Sequence, residues 1–130
     1  MTSNNKQIQK IFNLSHQDRY NIFIADAAQN NSVWGLYSDT GWCLAQTDNN
    51  TSALALWPQS QYAQACAEGI WQGAVAREIS LDKLLNELLP ALDQDNIMVV
   101  VFAGIKGDGI AAAPKDIYQQ IKQTKTQLSP

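Results

Sequence analysis

The 130 residues carry 9 Lys and Arg against 12 Asp and Glu, a net charge of −3, and are 45% hydrophobic and 16% charged. A chain of this size makes one ordinary domain with ample material for a core, and its acidic balance, with a pI near 4.9, argues against a surface that binds nucleic acid or anionic membrane. Cys43 and Cys66 form no C-x-x-C pair and, with the single histidine His16, supply no usual zinc set, so they read as two reduced, buried thiols and neither metal nor cofactor is expected.

The opening MTSNNKQIQK is polar and lacks an apolar h-region, and the longest apolar run, Ile97 to Ala103, is far short of the ~18 residues of a membrane span. A cytoplasmic protein is the expectation. Residues 1–14 read as an N-terminal extension in which Ile8, Ile11 and Phe12 recur at i, i+3, i+4, the spacing of a helical turn that docks on the body. Ser15 with Asp18 three residues on is a helix start, and Tyr20, Phe23, Ile24 and Ala27 make the core-facing stripe of a helix that stops near Asn30 and Asn31. His16, at the start of that helix, reads as a solvated residue with no second candidate base near it in sequence.

All four tryptophans fall between Val33 and Trp71. Val33 to Tyr37 and Trp42 to Gln46 are β-forming runs joined by Ser-Asp-Thr-Gly, which reads as a hairpin loop. The triplet Asp39-Thr40-Gly41 also occurs in aspartic proteases, but Tyr37-Ser38 before it, Trp42 after it and the helical remainder of the chain favour turn chemistry. Asp48 to Ser52 is a polar turn and Asn50-Thr51-Ser52 a sequon without a signal peptide. Ala53 to Trp57 is a third strand halted by Pro58. A helix follows from about Gln59 to Glu68, with Ser60 as a cap and Gly69 as terminator.

Ala74 to Ile79 is extended, and Ser80 opens a helix whose Leu81, Leu84, Leu85, Leu88, Leu89 and Leu92 face a core until Pro90 bends or ends it. Ile97 to Phe102 is apolar on both faces, the pattern of a central strand. Gly104 to Gly109 (GIKGDG) matches no phosphate-binding spacing and reads as a hairpin loop to a return strand, Ile110 to Ala113. Pro114 then starts a last helix to about Thr124 that buries Ile117, Tyr118 and Ile121. The whole is α+β: an antiparallel or mixed sheet of about five strands with a single layer of helices, one domain over residues 15–125 and a frayed tail at 126–130.

Arg19-Tyr20, V-W-G-L at Val33 to Leu36, Gly41-Trp42, L-W-P at Leu56 to Pro58, Tyr62-Ala63, R-E-I-x-L at Arg77 to Leu81 and the strand Val99 to Phe102 carry a family likeness. With these landmarks the chain resembles, over about Arg19 to Ile121, a bacterial family of small proteins classed as domain of unknown function 2750. The resemblance implies a compact stand-alone domain and brings no catalytic residue to carry over. The chain offers no set of nucleophile, base and orienter but a dense aromatic segment, which points to a non-enzymatic protein-interaction, adaptor or immunity-type module, monomeric or homodimeric, meeting an unknown protein partner. Trp34, Trp42, Trp57, Tyr62, Trp71 and Arg77 are the candidate surface. The alternative is a small-molecule-binding protein or enzyme with an aromatic pocket near Arg77 and Glu78.

Overall fold

The computed structural model describes residues 2–46, 51–105 and 108–128. The leading segment is a helix, α1 (Thr2–Phe12), whose Ile11 and Phe12 rest on the core, so the i, i+3, i+4 spacing does dock. Helix α2 (His16–Asn30) starts where the Ser15 hydroxyl accepts a hydrogen bond from the Asp18 N–H at 3.0 Å, a cap worth about 1 kcal/mol. It ends at Asn31, which turns left-handed at φ 59° and donates its N–H to the Ala27 carbonyl. Phe23, Ile24 and Ala27 are buried as the stripe predicts, and so is Arg19 one turn earlier.

Strands β1 (Ser32–Ser38) and β2 (Gly41–Trp42) form the predicted hairpin on a two-residue turn, in which Ser38 pairs with Gly41 and Gly41 takes φ +116°, open to glycine at no steric cost. The Ser38 hydroxyl rather than Asp39 ties this turn, accepting from the Thr40 N–H at 3.4 Å, and Asp39 is exposed. One residue, Cys43, separates β2 from β3 (Leu44–Gln46). Its N–H still bonds Leu36 of β1 at 2.8 Å, after which β3 pairs antiparallel with β4 (Ser52–Leu56). The chain thus changes sheets at a single corner residue. Asn50 of the sequon and most of the predicted polar turn lie outside the described residues.

Past the buried Pro58, Gln59 is the N-cap of α3 (Ser60–Ala65), which leaves Ser60 inside a helix shorter than its pattern predicts. A 3-10 turn at Gly69–Trp71 leads into β5 (Val75–Ser80). The Ser80 hydroxyl accepts from the Lys83 N–H at 3.2 Å and opens α4, residues 81–94. Of the two expected effects of Pro90, bending or ending the helix, the second does not occur. Pro90 does not stop the helix, which continues to Gln94 because the turn before the proline widens to π-type geometry over Leu84–Leu88, with the Leu89 N–H reaching back to the Leu84 carbonyl. Proline crowds the carbonyl four residues earlier, and the wider turn accommodates it. The same widening advances the buried stripe by one position, so Leu84, Leu89 and Leu92 are buried while Leu85 and Leu88 are half-buried.

Strands β6 (Met98–Val101) and β7 (Ile110–Ala112) and helix α5 (Pro114–Leu128) complete an α+β protein. Among the described residues there are seven strands in two sheets, β2-β1-β5 and β3-β4-β6-β7, where the sequence suggests about five in one. Among the described residues only β4 and β6 run parallel, and every other pair is antiparallel. Val99, Val100 and Val101 are all buried at this inner position, each contributing about 1.5–3 kcal/mol of transfer free energy. The two sheets are joined where Trp34 and Trp57 exchange both backbone hydrogen bonds at 2.8 Å. Helix α2 packs on α5 and on β1, β6 and β7, and α3 packs on β1 and β5. Among the described residues no helix is long and apolar enough to cross a membrane.

Candidate functional site

Antiparallel pairing sets Tyr37 of β1 beside Trp42 of β2 on one side and Val75 of β5 on the other, and Gly35 opposite Arg77. Residues two apart on a strand share a face, so Tyr37, Trp42, Val75 and Arg77 form one patch. The Tyr37 and Trp42 rings meet edge to face at 5.0 Å between centroids, and the Arg77 guanidinium lies 4.4 Å above the Tyr37 ring and 6.0 Å from that of Trp42. Arg77 is exposed, yet the rings hold it in place with a cation–π attraction of about 0.5–1 kcal/mol. Gly35 makes the room: a Cβ there would lie 2.9 Å from Cζ3 of Trp42. Gly35→Ala is therefore expected to push the Trp42 ring off the sheet, shift tryptophan emission and cost about 1–3 kcal/mol in urea unfolding. An unchanged midpoint with unchanged emission would show that the ring has slack.

Val75 adds an exposed apolar side chain to this patch, and two further exposed apolar residues stand elsewhere on the protein. Val75 is 58% exposed and Ile70 88% exposed, and Trp71, next to Ile70, donates its indole N–H to the carbonyl of the exposed Leu44 at 3.3 Å. The six residues singled out in the sequence do not form one surface. Trp57 is fully buried, and its indole N–H donates to the Ala103 carbonyl at 2.9 Å; the half-buried Trp71 meets it edge-on at 5.9 Å. Tyr62 stacks with Phe12 and Phe102 in a separate cluster. Trp34 is half-buried and, as a strand neighbour of Gly35, points away from the Arg77 face. Trp42 and Arg77 remain on the open side, and Trp71 packs with Trp57.

A second constellation surrounds Arg19, which is 1% exposed. Its Nη1 donates to the Phe12 carbonyl at 3.4 Å, and its Nη2 to the Asp108 carbonyl at 3.3 Å and to Asp108 Oδ2 at 3.1 Å. His16 Nε2 lies 2.8 Å from the same carboxylate oxygen. His16 is exposed, as its position at the helix start suggests, and its partner stands 92 positions away in the β6–β7 connection, beyond the reach of any local pattern. Phe102, at the end of β6, turns the chain into that connection at φ +51°, a left-handed conformation costing a non-glycine residue about 1–2 kcal/mol. Gly104 follows; a Cβ there would overlap Asp108 Oδ1 and come within 2.8 Å of Arg19 Nη1. Partial burial pushes the Asp108 carboxyl upward, but hydrogen bonds from His16 and Arg19 outweigh it and hold the group below its ordinary value. Lys106 and Gly107 of the glycine-rich loop lie outside the described residues.

A family model described as protein of unknown function (DUF2750) matches residues 20–121 of the 130. The chain belongs to this family. Neither the curated proteins nor the solved structures give a match. The Tyr37, Trp42, Val75 and Arg77 patch of this DUF2750 chain lies inside the matched segment, whereas α1, His16 and Arg19 precede it.

Both cysteines of the DUF2750 chain are free and buried, in agreement with the sequence reading. Burial pushes the Cys66 thiol up to about 12, so it stays a neutral thiol at physiological pH. Arg19 and Asp108 are the functional candidates that sequence reasoning missed. Arg19 is in register with Phe23 and Ala27 at four-residue steps, the one local sign that it faces inward.

Proposed function

We propose that this protein is an interaction module whose Tyr37, Trp42 and Arg77 face docks on another protein. The observation that supports this reading is an exposed guanidinium fixed over two aromatic rings with the exposed Val75 on the same strand face. Arginine, tryptophan and tyrosine dominate the energetics of protein interfaces, and clustered exposed apolar side chains are characteristic of them. A pre-stacked guanidinium loses less freedom on binding than a free one. The partner that fits is a protein surface presenting a carboxylate flanked by apolar side chains. On a molecule of net charge −3, Arg77 supplies a local positive anchor for such a surface.

Size-exclusion of tagged chain from its native cell extract tests the reading. The wild-type chain is expected to elute in a complex larger than its own 14.4 kDa, and Arg77→Glu and Val75→Asp are each expected to return it to the monomer position. Wild-type chain eluting alone, or variants that co-elute with the complex, contradict the reading. A larger species formed equally by purified chain identifies the partner as a second copy.

A further inference from the structure

The Arg19 cluster lies apart from the Arg77 face and borders a cavity of about 480 Å³. Gln9 of α1 and Asn13 just past its end stand on its wall with Arg19, Gly104 and Asp108. A guanidinium has five N–H donors, and charge-assisted bonds to a carboxylate normally close to about 2.7–2.9 Å. The Arg19 bonds run from 3.1 to 3.4 Å, and Nε has no partner among the described residues. Asp108 meets the guanidinium through one oxygen only, and that oxygen lies closer to His16. A buried charge held this loosely retains much of its desolvation cost, and a better-placed anion would recover it. Asp108, 49% exposed, is reachable from solvent and stands where such an anion would sit.

We propose that the cavity beside Arg19 is a binding site for a small oxyanion, a phosphate or carboxylate group, which takes the place on the guanidinium that the Asp108 side chain holds in its absence. The carboxamides of Gln9, on the last turn of α1, and Asn13, just past it, are both exposed and supply neutral donors at the mouth. A cavity of this volume falls in the usual range for small-molecule sites. Asp108 is then an internal competitor as well as a structural partner, and this separates the proposal from a purely structural ion pair. Removing a merely structural carboxylate weakens the protein whatever anion is present, whereas removing a competitor increases the response to anion.

Thermal unfolding in inorganic phosphate, and in acetate, each against sodium chloride of matched ionic strength, tests it. Phosphate or acetate is expected to raise the melting temperature of the wild-type chain, by about 3 °C at saturating levels, and that of Asp108→Ala by more. The anion with the larger effect identifies the ligand group as phosphate or carboxylate. Asn13→Asp, a surface change at the cavity mouth that leaves the core intact, is expected to weaken the response at least tenfold in concentration. In the wild-type chain, amide shifts on titration should concentrate at Gln9, Asn13, Gly104 and Ile105. No rise in either anion, a rise no larger in Asp108→Ala than in wild type, or one unaltered by Asn13→Asp would overturn the proposal.

Discussion

Trp57→Ala is expected to remove about 3–5 kcal/mol of unfolding free energy, the largest loss from any single aromatic truncation in this chain. The ring is fully buried, its N–H is satisfied by the Ala103 carbonyl, and it braces the Trp71 ring edge-on. It also extends from the residue whose backbone joins the two sheets through Trp34. Alanine empties this part of the core and leaves the Ala103 carbonyl with the weak Cys66 thiol donor at 3.5 Å. Trp57→Phe keeps much of the ring and loses the indole donor, so about 1–2 kcal/mol is expected. Urea unfolding distinguishes them. A cost under about 1 kcal/mol for alanine would mean that the sheets are held together elsewhere.

Asp108→Asn is expected to cost about 2–3 kcal/mol at neutral pH, less than the 3–5 of a fully enclosed pair because Asp108 is half exposed. The variant leaves the buried Arg19 charge without its counter-charge. The pH dependence has a definite sign. The folded carboxyl titrates below its unfolded value, so its stabilisation is fully present above the unfolded pKa of about 3.9 and is lost as pH falls through the lower, folded one. Wild type and variant are therefore expected to converge in acid, below about pH 4. Urea midpoints measured from neutral pH downward check this. A gap that stays constant into acid would show that the carboxylate charge is not what stabilises the cluster.

The sequence makes the local structure readable wherever a few neighbouring residues decide it. Ser15 and Ser80 cap the helices they precede, Gly41 closes its hairpin, and the apolar run through Val99 to Val101 lies at an inner strand position. What stays hidden depends on partners far along the chain. Cys43 gives no local sign of being a corner, because the switch from β1 to β4 is decided by which strands stand alongside. Pro90 carries a strong local stop signal, and the buried leucines on both sides of it override that signal through the widened turn. The α+β class follows from the order of elements, but the division into two sheets follows from the corner at Cys43, and the Trp34–Trp57 bridge joins them.

The same division holds for the candidate sites. Arg77 and Trp42 stand out by residue type, and strand register brings them together over Gly35. Trp57 and Tyr62 stand out equally, yet the fold turns the first into core and the second toward Phe102. His16, Arg19 and Asp108 meet only because α2 and the β6–β7 connection converge, with 89 positions between Arg19 and Asp108. No local pattern encodes that convergence.

The interaction reading is tested most directly by photo-crosslinking in living cells from position 75, beside Arg77, against a control at the exposed position 122 on α5. The predicted result is a discrete adduct with one protein from position 75, none from position 122, and loss of the adduct when Arg77→Glu is introduced into a chain that still unfolds cooperatively in urea, within about 1 kcal/mol of wild type. Equal adducts from both positions, or an adduct that survives Arg77→Glu, would contradict it.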